Sequence, residues 1–360
     1  SVPIRSKTVS TTSDAFRDFA PIQDVYAFII GELEDAIGLL PVNKVQGRAD
    51  KVAAQALLAR VYLYLASSKA SGAPGYDWVS DAHEMYRLAA QYAGDVLDKQ
   101  TVYRLDPDLG NVYDVEHQAD GVEHIFMTSM NREASGMEGT YSQLPQMFCI
   151  QTGSIVYISA SLGENSREVM KFMDYESGYQ VMRVDNDFRE TYDDDDLRKQ
   201  LMVTTIYNED GSVLAAYDPS NLTSSDNIKN KFFYPFCRKY TDPKSKSNRT
   251  SANLYLIRFA EVALTYAEAV GPTDEGYRWV NEVRRRAGLD ALPEGLSIED
   301  FREAVIEERT KELAFEGHGI YDLRRLNRVD EQHITNKAFK PAYAYFYPAP
   351  QRELDLNPQK

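Results

Sequence analysis

Apolar residues recur at helical spacing in the first hundred positions of the chain. The first apolar stripe covers residues 25–40 and ends at a proline, and its spacing of three and four residues predicts an amphipathic helix. A second stripe begins at Ala54, with alanines on the opposite face, so we expect this helix to be buried on two sides. A third follows a Gly- and Pro-containing break, with Ser80 as the expected cap. Residues 21–98 therefore predict stacked helical hairpins.

The pattern changes between residues 101 and 250. Gly, Asn, Asp and Ser become frequent, and the apolar residues come in short runs. Residues 122–130 predict a strand. Residues 201–207 and 212–217, separated by a turn sequence that ends in glycine, predict a β-hairpin. We therefore expect this middle part, residues 101–250, to be a loop-rich insert on the ligand side, with short strands.

Helical spacing returns at Leu256 and stops at a Gly-Pro pair. A capping-box pattern then begins at Ser297 and predicts a helix that runs to about Phe315. We assign residues 254–326 to a C-terminal helical part and residues 327–360 to an extended, aromatic and Pro-rich tail. The predicted fold class is mainly α, with helices at both ends of an irregular middle.

Composition and charge narrow the function classes. The chain has 360 residues, and 40 Lys and Arg against 55 Asp and Glu give a net charge of −15. Such a charge argues against a nucleic-acid partner and against adsorption to an anionic bilayer through a broad basic surface. No apolar run approaches the roughly 20 residues that span a membrane. The chain contains 24 Tyr. Tyrosine has an apolar ring and a polar hydroxyl, so it fits cores that border solvent as well as grooves that bind sugars or peptides.

Signatures of enzymes and metal sites are missing from the sequence. It contains no GxSxG, GxGxxG, P-loop, HExxH or kinase motif, so we predict a protein that is not an enzyme and has no cofactor. Cys149 and Cys237 lie far apart and are expected to be buried, and the histidines have no metal-ligand spacing. The run Asp193–Asp196 could hold calcium, but a solvated loop or the acidic start of a helix is favoured.

Several long segments have recognisable patterns. They are GRADKVAAQALLARVYL (47–63), YLIRFAEVALTYAEA (255–269), NEVRRRAGL (281–289), EERTKELAFEGH (307–318) continuing into YDLRR (321–325), and YPAPQRELDLNP (347–358). In order and spacing these segments resemble the SusD/RagB family of surface nutrient-binding lipoproteins of Bacteroidetes. The resemblance extends over nearly the whole chain, so we expect residues 1–360 to form a single SusD-like domain. One departure is Gly319, which stands where the family usually has arginine.

The resemblance implies a fold, a location and a partner. The implied fold is a tetratricopeptide-like helical-repeat scaffold with a loop-rich insert. The implied location is the extracellular face of the outer membrane, held by a lipid anchor that lies outside this chain, since family members have further residues at the front. The implied partner is a SusC-like TonB-dependent outer-membrane transporter, to which the protein delivers captured oligosaccharides. A RagB-like peptide-binding protein is the alternative, and a module that docks the transporter without binding a ligand is another.

Charged residues inside the helical segments are expected to be paired, because buried charges are tolerated only with partners. The residues predicted to form interhelical ion pairs are Arg258, Glu261, Glu268, Arg309, Glu312 and Glu316. A second interpretation takes Glu316, His318 and Asp322 as an acid–base set. We favour the ion pairs, because the set lies within a scaffold motif.

Ligand capture requires aromatic planes beside amide and hydroxyl groups, since a sugar stacks its C–H face on a ring and directs its hydroxyls to polar partners. The predicted ligand-binding residues are Tyr76, Trp78, Tyr141, Gln143 and Tyr157. Trp78 also has a structural interpretation, because a large apolar residue just ahead of a helix can staple its first turn.

Overall fold

Long helices lie towards both ends of the computed structural model of the chain, and short helices lie between them. The described residues are 2–11, 17–134, 140–162, 168–218, 232–329 and 344–356. Their α-helices are α1 (Ile22–Leu39), α2 (Lys51–Ser71), α3 (Ala82–Asp98), α4 (Leu109–Tyr113), α5 (Leu144–Phe148), α6 (Asn186–Arg189), α7 (Phe259–Val270), α8 (Asp274–Arg286), α9 (Ile298–Glu312), α10 (Gly319–Arg325) and α11 (Gln351–Leu356). A 3-10 helix covers Leu197–Leu201. The mainly α fold class is confirmed.

The strands are short and pair in antiparallel sheets. They are β1 (His124–Met127), β2 (Tyr157–Ser159), β3 (Val169–Lys171), β4 (Met202–Val203), β5 (Thr205–Tyr207), β6 (Val213–Ala216), β7 (Phe236–Cys237) and β8 (Tyr255–Arg258). β1 pairs with β8 and β4 with β7, while the others form one sheet in the order β3-β2-β5-β6. The strand predicted at residues 122–130 is confirmed as β1, with narrower bounds.

α2 lies at the centre of the helical scaffold. Asp50 accepts a hydrogen bond from the Ala53 N–H at the start of this helix, and Gly72 ends it at a φ of 69°. Between the two ends, Leu58 and Ala59 are fully buried. α1, α3, α7 and α10 all pack against α2, which confirms that this helix is buried on more than one side.

The helices pack as stacked pairs. α2 packs on α3, α7 packs on α8, and α3 packs on α7, so that the two pairs form one layer after another. An apolar core that includes Val52, Ala93, Leu264, Val283 and Val305 joins α2, α3, α7, α8 and α9. The stacked pairs match the helical hairpins that the apolar stripes predict and the tetratricopeptide-like scaffold that the family resemblance implies.

One helix cap differs from the prediction. Asp81, and not Ser80, caps α3: its carboxylate accepts hydrogen bonds from the backbone N–H groups of His83, at 2.8 Å, and Glu84, at 3.3 Å. The helix begins at Ala82, so the aspartate is the residue immediately before it and has the extended backbone of an N-cap.

The start of the C-terminal helical part also differs from the prediction. Tyr255–Arg258 form β8 and pair with β1, and helix α7 begins only at Phe259. Tyr255 and Ile257 are buried while Leu256 between them is half-buried, an alternation that suits a strand. The predicted helix therefore began three residues too early, because residues 256–258 pair with β1, which lies far away in the chain.

Only the part of the predicted β-hairpin nearest the turn forms: residues 205–207 pair with residues 213–216. β5 and β6 pair across a turn in which the Asn208 N–H donates to the Ser212 carbonyl at 2.8 Å. Met202 and Val203 leave the hairpin and pair with β7. Both residues are buried, and consecutive buried residues fit a strand with two covered faces better than a half-exposed hairpin.

The four-stranded sheet has one buried face. Ile158, Ile206 and Ala215 point into an apolar cluster that also contains phenylalanines from the neighbouring loops. The alternate residues, which include Tyr157 and Tyr207, lie on the other face and are half-buried. The insert therefore presents a polar and aromatic face above its own small core.

Candidate ligand-binding site

Tyr76 and Trp78 lie in the loop between α2 and α3 and contact α1. The Tyr76 and Tyr26 hydroxyls are 3.0 Å apart, and the ring centroids of Trp78 and Tyr26 are separated by 5.8 Å. The Trp78 Nε1–H donates to the Gly75 carbonyl at 3.0 Å. Both rings therefore hold this loop against α1, and both remain half-buried. Their part in ligand binding stays a prediction.

Tyr141 and Gln143 lie on either side of buried Ser142, just ahead of α5. Ser142 and Thr250 exchange backbone hydrogen bonds in both directions, at 3.0 and 3.1 Å. This pairing fixes the segment against residues that lie far away in sequence. Tyr141 and Gln143 are half-buried, so their side chains keep some access to solvent.

Tyr157 lies on β2, between two side chains that the sequence did not single out. It is directly opposite Lys171 on β3 and directly opposite Tyr207 on β5. The alternation of buried Ile206 and half-buried Tyr207 was visible in the sequence as a hairpin strand. Which strand would lie beside β2 was not visible, because that depends on pairing across about 50 residues.

The predicted ligand residues do not form one cluster. Tyr76 and Trp78 pack on the apolar cluster of α1, α2 and α3. Tyr157 lies on the sheet above a second cluster, and Tyr141 and Gln143 precede α5, whose apolar residues belong to a third. Tyr76 and Trp78 therefore lie on the helical scaffold, whereas Tyr141, Gln143 and Tyr157 lie in the insert.

Several buried charged residues meet at Glu312, the last residue of α9. Its carboxylate accepts hydrogen bonds from Arg258 at 2.7 Å, from Arg286 at 2.6 Å and from Arg198 at 3.1 Å. Its backbone carbonyl accepts from the Lys239 Nζ at 2.9 Å. Burial alone would raise the pKa of Glu312, but the three arginines hold that pKa well below its ordinary value. We call these five residues the Glu312 network.

Glu316 is equally enclosed. Its two carboxylate oxygens accept hydrogen bonds from Arg258 at 2.7 Å and from the Lys239 Nζ at 2.6 Å. Burial opposes the charged form, and these two cations outweigh it, so the pKa of Glu316 lies below its ordinary value. A carboxylate held ionised by two buried cations is poorly suited to act as a general acid.

His318 and Asp322 are also held by neighbours. Asp322 accepts hydrogen bonds from Arg309 at 3.0 Å and from Arg325 at 2.7 Å. Burial lowers the pKa of His318, whose Nδ1 is 3.9 Å from a carboxylate oxygen of Glu261. The contacts favour the interpretation of this segment as structural over the acid–base one.

The remaining predicted pairs connect helices. Arg309 lies 3.3 Å from Glu261, which also binds Arg60 of α2 at 2.6 Å. Glu268 of α7 accepts a hydrogen bond from Arg325 of α10 at 2.8 Å. The prediction that these charges form ion pairs is confirmed, although Arg258 pairs from strand β8 and Glu316 from the turn that follows α9.

The aspartate run and the cysteines have structural surroundings. Asp193, Asp194 and Asp195 are exposed in a loop, while Asp196 caps the 3-10 helix and binds Arg198 at 2.8 Å, so the run is a solvated loop that ends at the start of a helix. Within the described ranges, no group of His, Cys, Asp and Glu is arranged to hold a metal ion. Cys149 and Cys237 are buried as predicted, and burial raises the pKa of each to about 12, which disfavours the reactive thiolate.

The scaffold and its insert place the protein in a defined class: helical-repeat proteins with a large irregular insert between two sets of helices. Within that class the chain belongs to the SusD family, whose model matches residues 122–359. The family resemblance of the sequence is thereby confirmed.

Individual relatives agree with this assignment. SusD-like protein P2 of Formosa agariphila is 25% identical over 94% of this chain, and the chain covers 64% of that protein's length. A solved SusD homologue from Bacteroides thetaiotaomicron has 25% identity and a TM-score of 0.64, with 94% of this chain and 69% of the homologue covered. Surface glycan-binding protein A from Bacteroides thetaiotaomicron, solved with laminarihexaose, has 20% identity and a TM-score of 0.64, with coverages of 92% and 68%.

Proposed function

We propose that this chain is the carbohydrate-capturing part of a cell-surface nutrient-binding protein. The observation that carries the proposal is the fold it shares, over 92% of its length, with a family relative solved with laminarihexaose. The half-buried tyrosines of the insert support it, because tyrosine combines a flat apolar ring with a polar hydroxyl. The specific sugar is left to experiment.

The proposed activity is binding without a catalytic step. Glu316 and Asp322 are each held by two cations, and His318 is enclosed. General acid–base catalysis needs a group that can exchange a proton with the substrate near the working pH. These side chains are committed to holding helices together instead.

Calorimetric titration of the chain with neutral oligosaccharides would test carbohydrate capture. We expect at least one of laminarihexaose, maltohexaose, cellohexaose and xylohexaose to bind with no release of reducing ends. Flat titrations across the sugars, with binding of peptides instead, would favour the RagB-like alternative. Flat titrations with both would favour a module that only docks a transporter.

The double substitution of Tyr141 and Tyr157 to Ala tests the predicted ligand residues. We expect it to weaken sugar binding, because each change removes a ring from the insert. Tyr321→Ala is the matched control, since Tyr321 is 52% exposed and lies on scaffold helix α10. Equal affinity of the double variant and the wild type would remove both residues from the site.

Delivery to a SusC-like TonB-dependent transporter is the further part of the proposal, with the protein held by a lipid anchor on the extracellular face of the outer membrane. Family membership supports this location. In the part of the chain that the structure describes, no helix is long and apolar enough to span a membrane. Co-purification with a TonB-dependent transporter from detergent-solubilised outer membranes would test the partnership, and recovery without any transporter would contradict it.

A further inference from the structure

Four side chains form a row across the outer face of the four-stranded sheet. Lys171, Tyr157 and Tyr207 lie directly opposite one another on β3, β2 and β5. Val213 on β6 pairs with Tyr207 after a shift in the register of β5 and β6. We call them the tyrosine row. Strands lie about 4.8 Å apart, so three spacings make the row about 14 Å long. Side chains directly opposite each other are nearest neighbours on a sheet face.

On β3, β2 and β5 the register of this row is fixed by the burial of the other face of the sheet. Ile158, Ile206 and Ala215 are at most 3% exposed and point into the apolar cluster below. A slip of one residue would move these side chains to the outer face, which would expose them to water. The tyrosines are therefore kept on the outside by the burial of their neighbours.

The outer face is open to solvent and chemically mixed. Val213 is 59% exposed, and the Lys171 side chain is 31% exposed. Ser159 and Thr205 lie two residues along their strands from the tyrosines and on the same face. Because β2 and β5 are antiparallel, the two hydroxyls lie on the same side of the row. Aromatic rings are thus flanked by small side chains that can donate or accept hydrogen bonds.

We infer that the tyrosine row is a platform for a neutral oligosaccharide, with Tyr207 and Lys171 as binding residues beside Tyr157. The inference rests on the proposed function and specifies where on the insert the sugar binds. Sugar rings offer apolar C–H faces to the tyrosines and hydroxyls to the polar groups around them. A platform of this length suits several sugar units more than one.

Charge and geometry favour this ligand over others. The Lys171 ammonium is paired with Asp174 at 2.8 Å, so the row carries little net charge and has no surplus cation for an anionic sugar. An extended peptide that joins a sheet pairs along an edge strand, here β3 or β6. The tyrosine row instead crosses the strands, so a ligand lying along it contacts side chains on the face.

Titration of single variants with the hexasaccharide that the wild type binds best tests the platform. We expect Tyr157→Ala and Tyr207→Ala each to weaken binding about tenfold, which corresponds to about 1.4 kcal/mol. Tyr207→Phe keeps the ring and is expected to weaken binding less than threefold. Tyr321→Ala, on the scaffold, is the matched control and should bind like the wild type.

Chemical protection provides a second measurement that needs no variant. Tetranitromethane nitrates accessible tyrosines, and peptide mass spectrometry can quantify the modification at each position of the wild-type chain. We expect the bound hexasaccharide to reduce nitration of Tyr157 and Tyr207 while leaving Tyr321 unchanged.

The outcomes separate this inference from the proposed function. A wild type that binds a hexasaccharide, with row variants of equal affinity and no protection of the two tyrosines, overturns the platform alone. A wild type that binds none of the sugars overturns the proposed function and the platform with it. Weakened row variants together with protection support both.

Discussion

The contacts that stabilise the helical scaffold differ from those that hold the insert in place. In the scaffold, long helices bury repeated apolar faces, and α2 alone contributes Leu58, Leu63 and Leu65 to the core. In the insert, strands are two to four residues long, and buried cations such as Arg198 and Lys239 reach carboxylates at the end of α9. Apolar helix faces, joined by interhelical ion pairs such as Arg325–Glu268, therefore stabilise the scaffold, while the insert, which has only short strands, is attached to it by long-range ion pairs of Arg198 and Lys239.

The buried ion pairs fix the position of the insert more than they add to the free energy of unfolding. A buried ion pair gains little free energy relative to apolar residues of similar shape, because both charges lose their hydration. Removal of one partner is costly, since the other charge stays buried without compensation. The Glu312 network therefore makes the position of the insert depend on a few carboxylates of α9.

Glu312→Ala is expected to produce the largest effect. It would leave Arg198, Arg258 and Arg286 without a shared carboxylate and lower the free energy of unfolding by about 3–5 kcal/mol. Urea denaturation checks the loss. Both tryptophans of the chain, Trp78 and Trp279, lie in the scaffold, so their fluorescence reports on that region, while hydrogen exchange in β4 and β7 reports on the insert.

The matched control for Glu312 is Glu84→Ala on α3. Glu84 pairs with Arg87 at 2.7 Å on the surface, and such exposed pairs contribute little. We expect this variant to unfold at the same urea concentration as the wild type. A Glu312→Ala protein as stable as the Glu84→Ala protein, with unchanged exchange in β4 and β7, would contradict the role of the network.

Leu63→Ala tests the other side of the comparison. Leu63 is fully buried on α2, and the loss of its methyl and methylene groups in a packed core lowers the free energy of unfolding by about 2–5 kcal/mol. Tryptophan fluorescence against urea measures the change. A loss below about 1 kcal/mol would mean that the scaffold core is looser than its burial indicates.

Acid is expected to weaken the ion pairs of Glu312 and Glu316. The pKa values of Glu312 and Glu316 are below the ordinary glutamate value of 4.5 in the folded protein. Their stabilising contribution is therefore fully present above about pH 4.5 and is lost as pH falls through the lower, folded values. We expect the free energy of unfolding to decline below pH 4.5, with a smaller decline in Glu312→Gln. Parallel curves for the two proteins would contradict this assignment.

The smallest expected effect on the free energy of unfolding comes from substitution of the cap of α3. Asp81→Ala removes the carboxylate that accepts from the backbone of His83 and Glu84, which costs about 1 kcal/mol. Ser80→Ala is the matched control and should change the unfolding midpoint by no more than measurement error. A larger loss of stability in Ser80→Ala than in Asp81→Ala would show that Ser80 caps the helix, as the sequence predicts.

Sequence reasoning succeeded where structure follows from neighbouring residues. The apolar stripes that predicted α1, α2 and α3 and the capping box that predicted α9 are local patterns, formed by residues a few positions apart. Apart from the cap of α3, its errors came where distant segments meet: residues 255–258 form β8 because β1 pairs with them, and Met202–Val203 pair with β7 instead of joining the hairpin. The periodic spacing of apolar residues does not indicate which distant strand a segment will pair with.

The sequence by itself determined the helical scaffold, the family, the burial of both cysteines and the pairing of the charged residues as a group. Only the tertiary structure decided which charges meet at Glu312, and that Tyr157 lies beside Tyr207 and Lys171 while Tyr76 and Trp78 pack against α1. The reason is physical: helix formation and burial depend on residues within a few positions of each other. Ion-pair partners and sheet register depend on contacts between residues that the chain brings together from far apart.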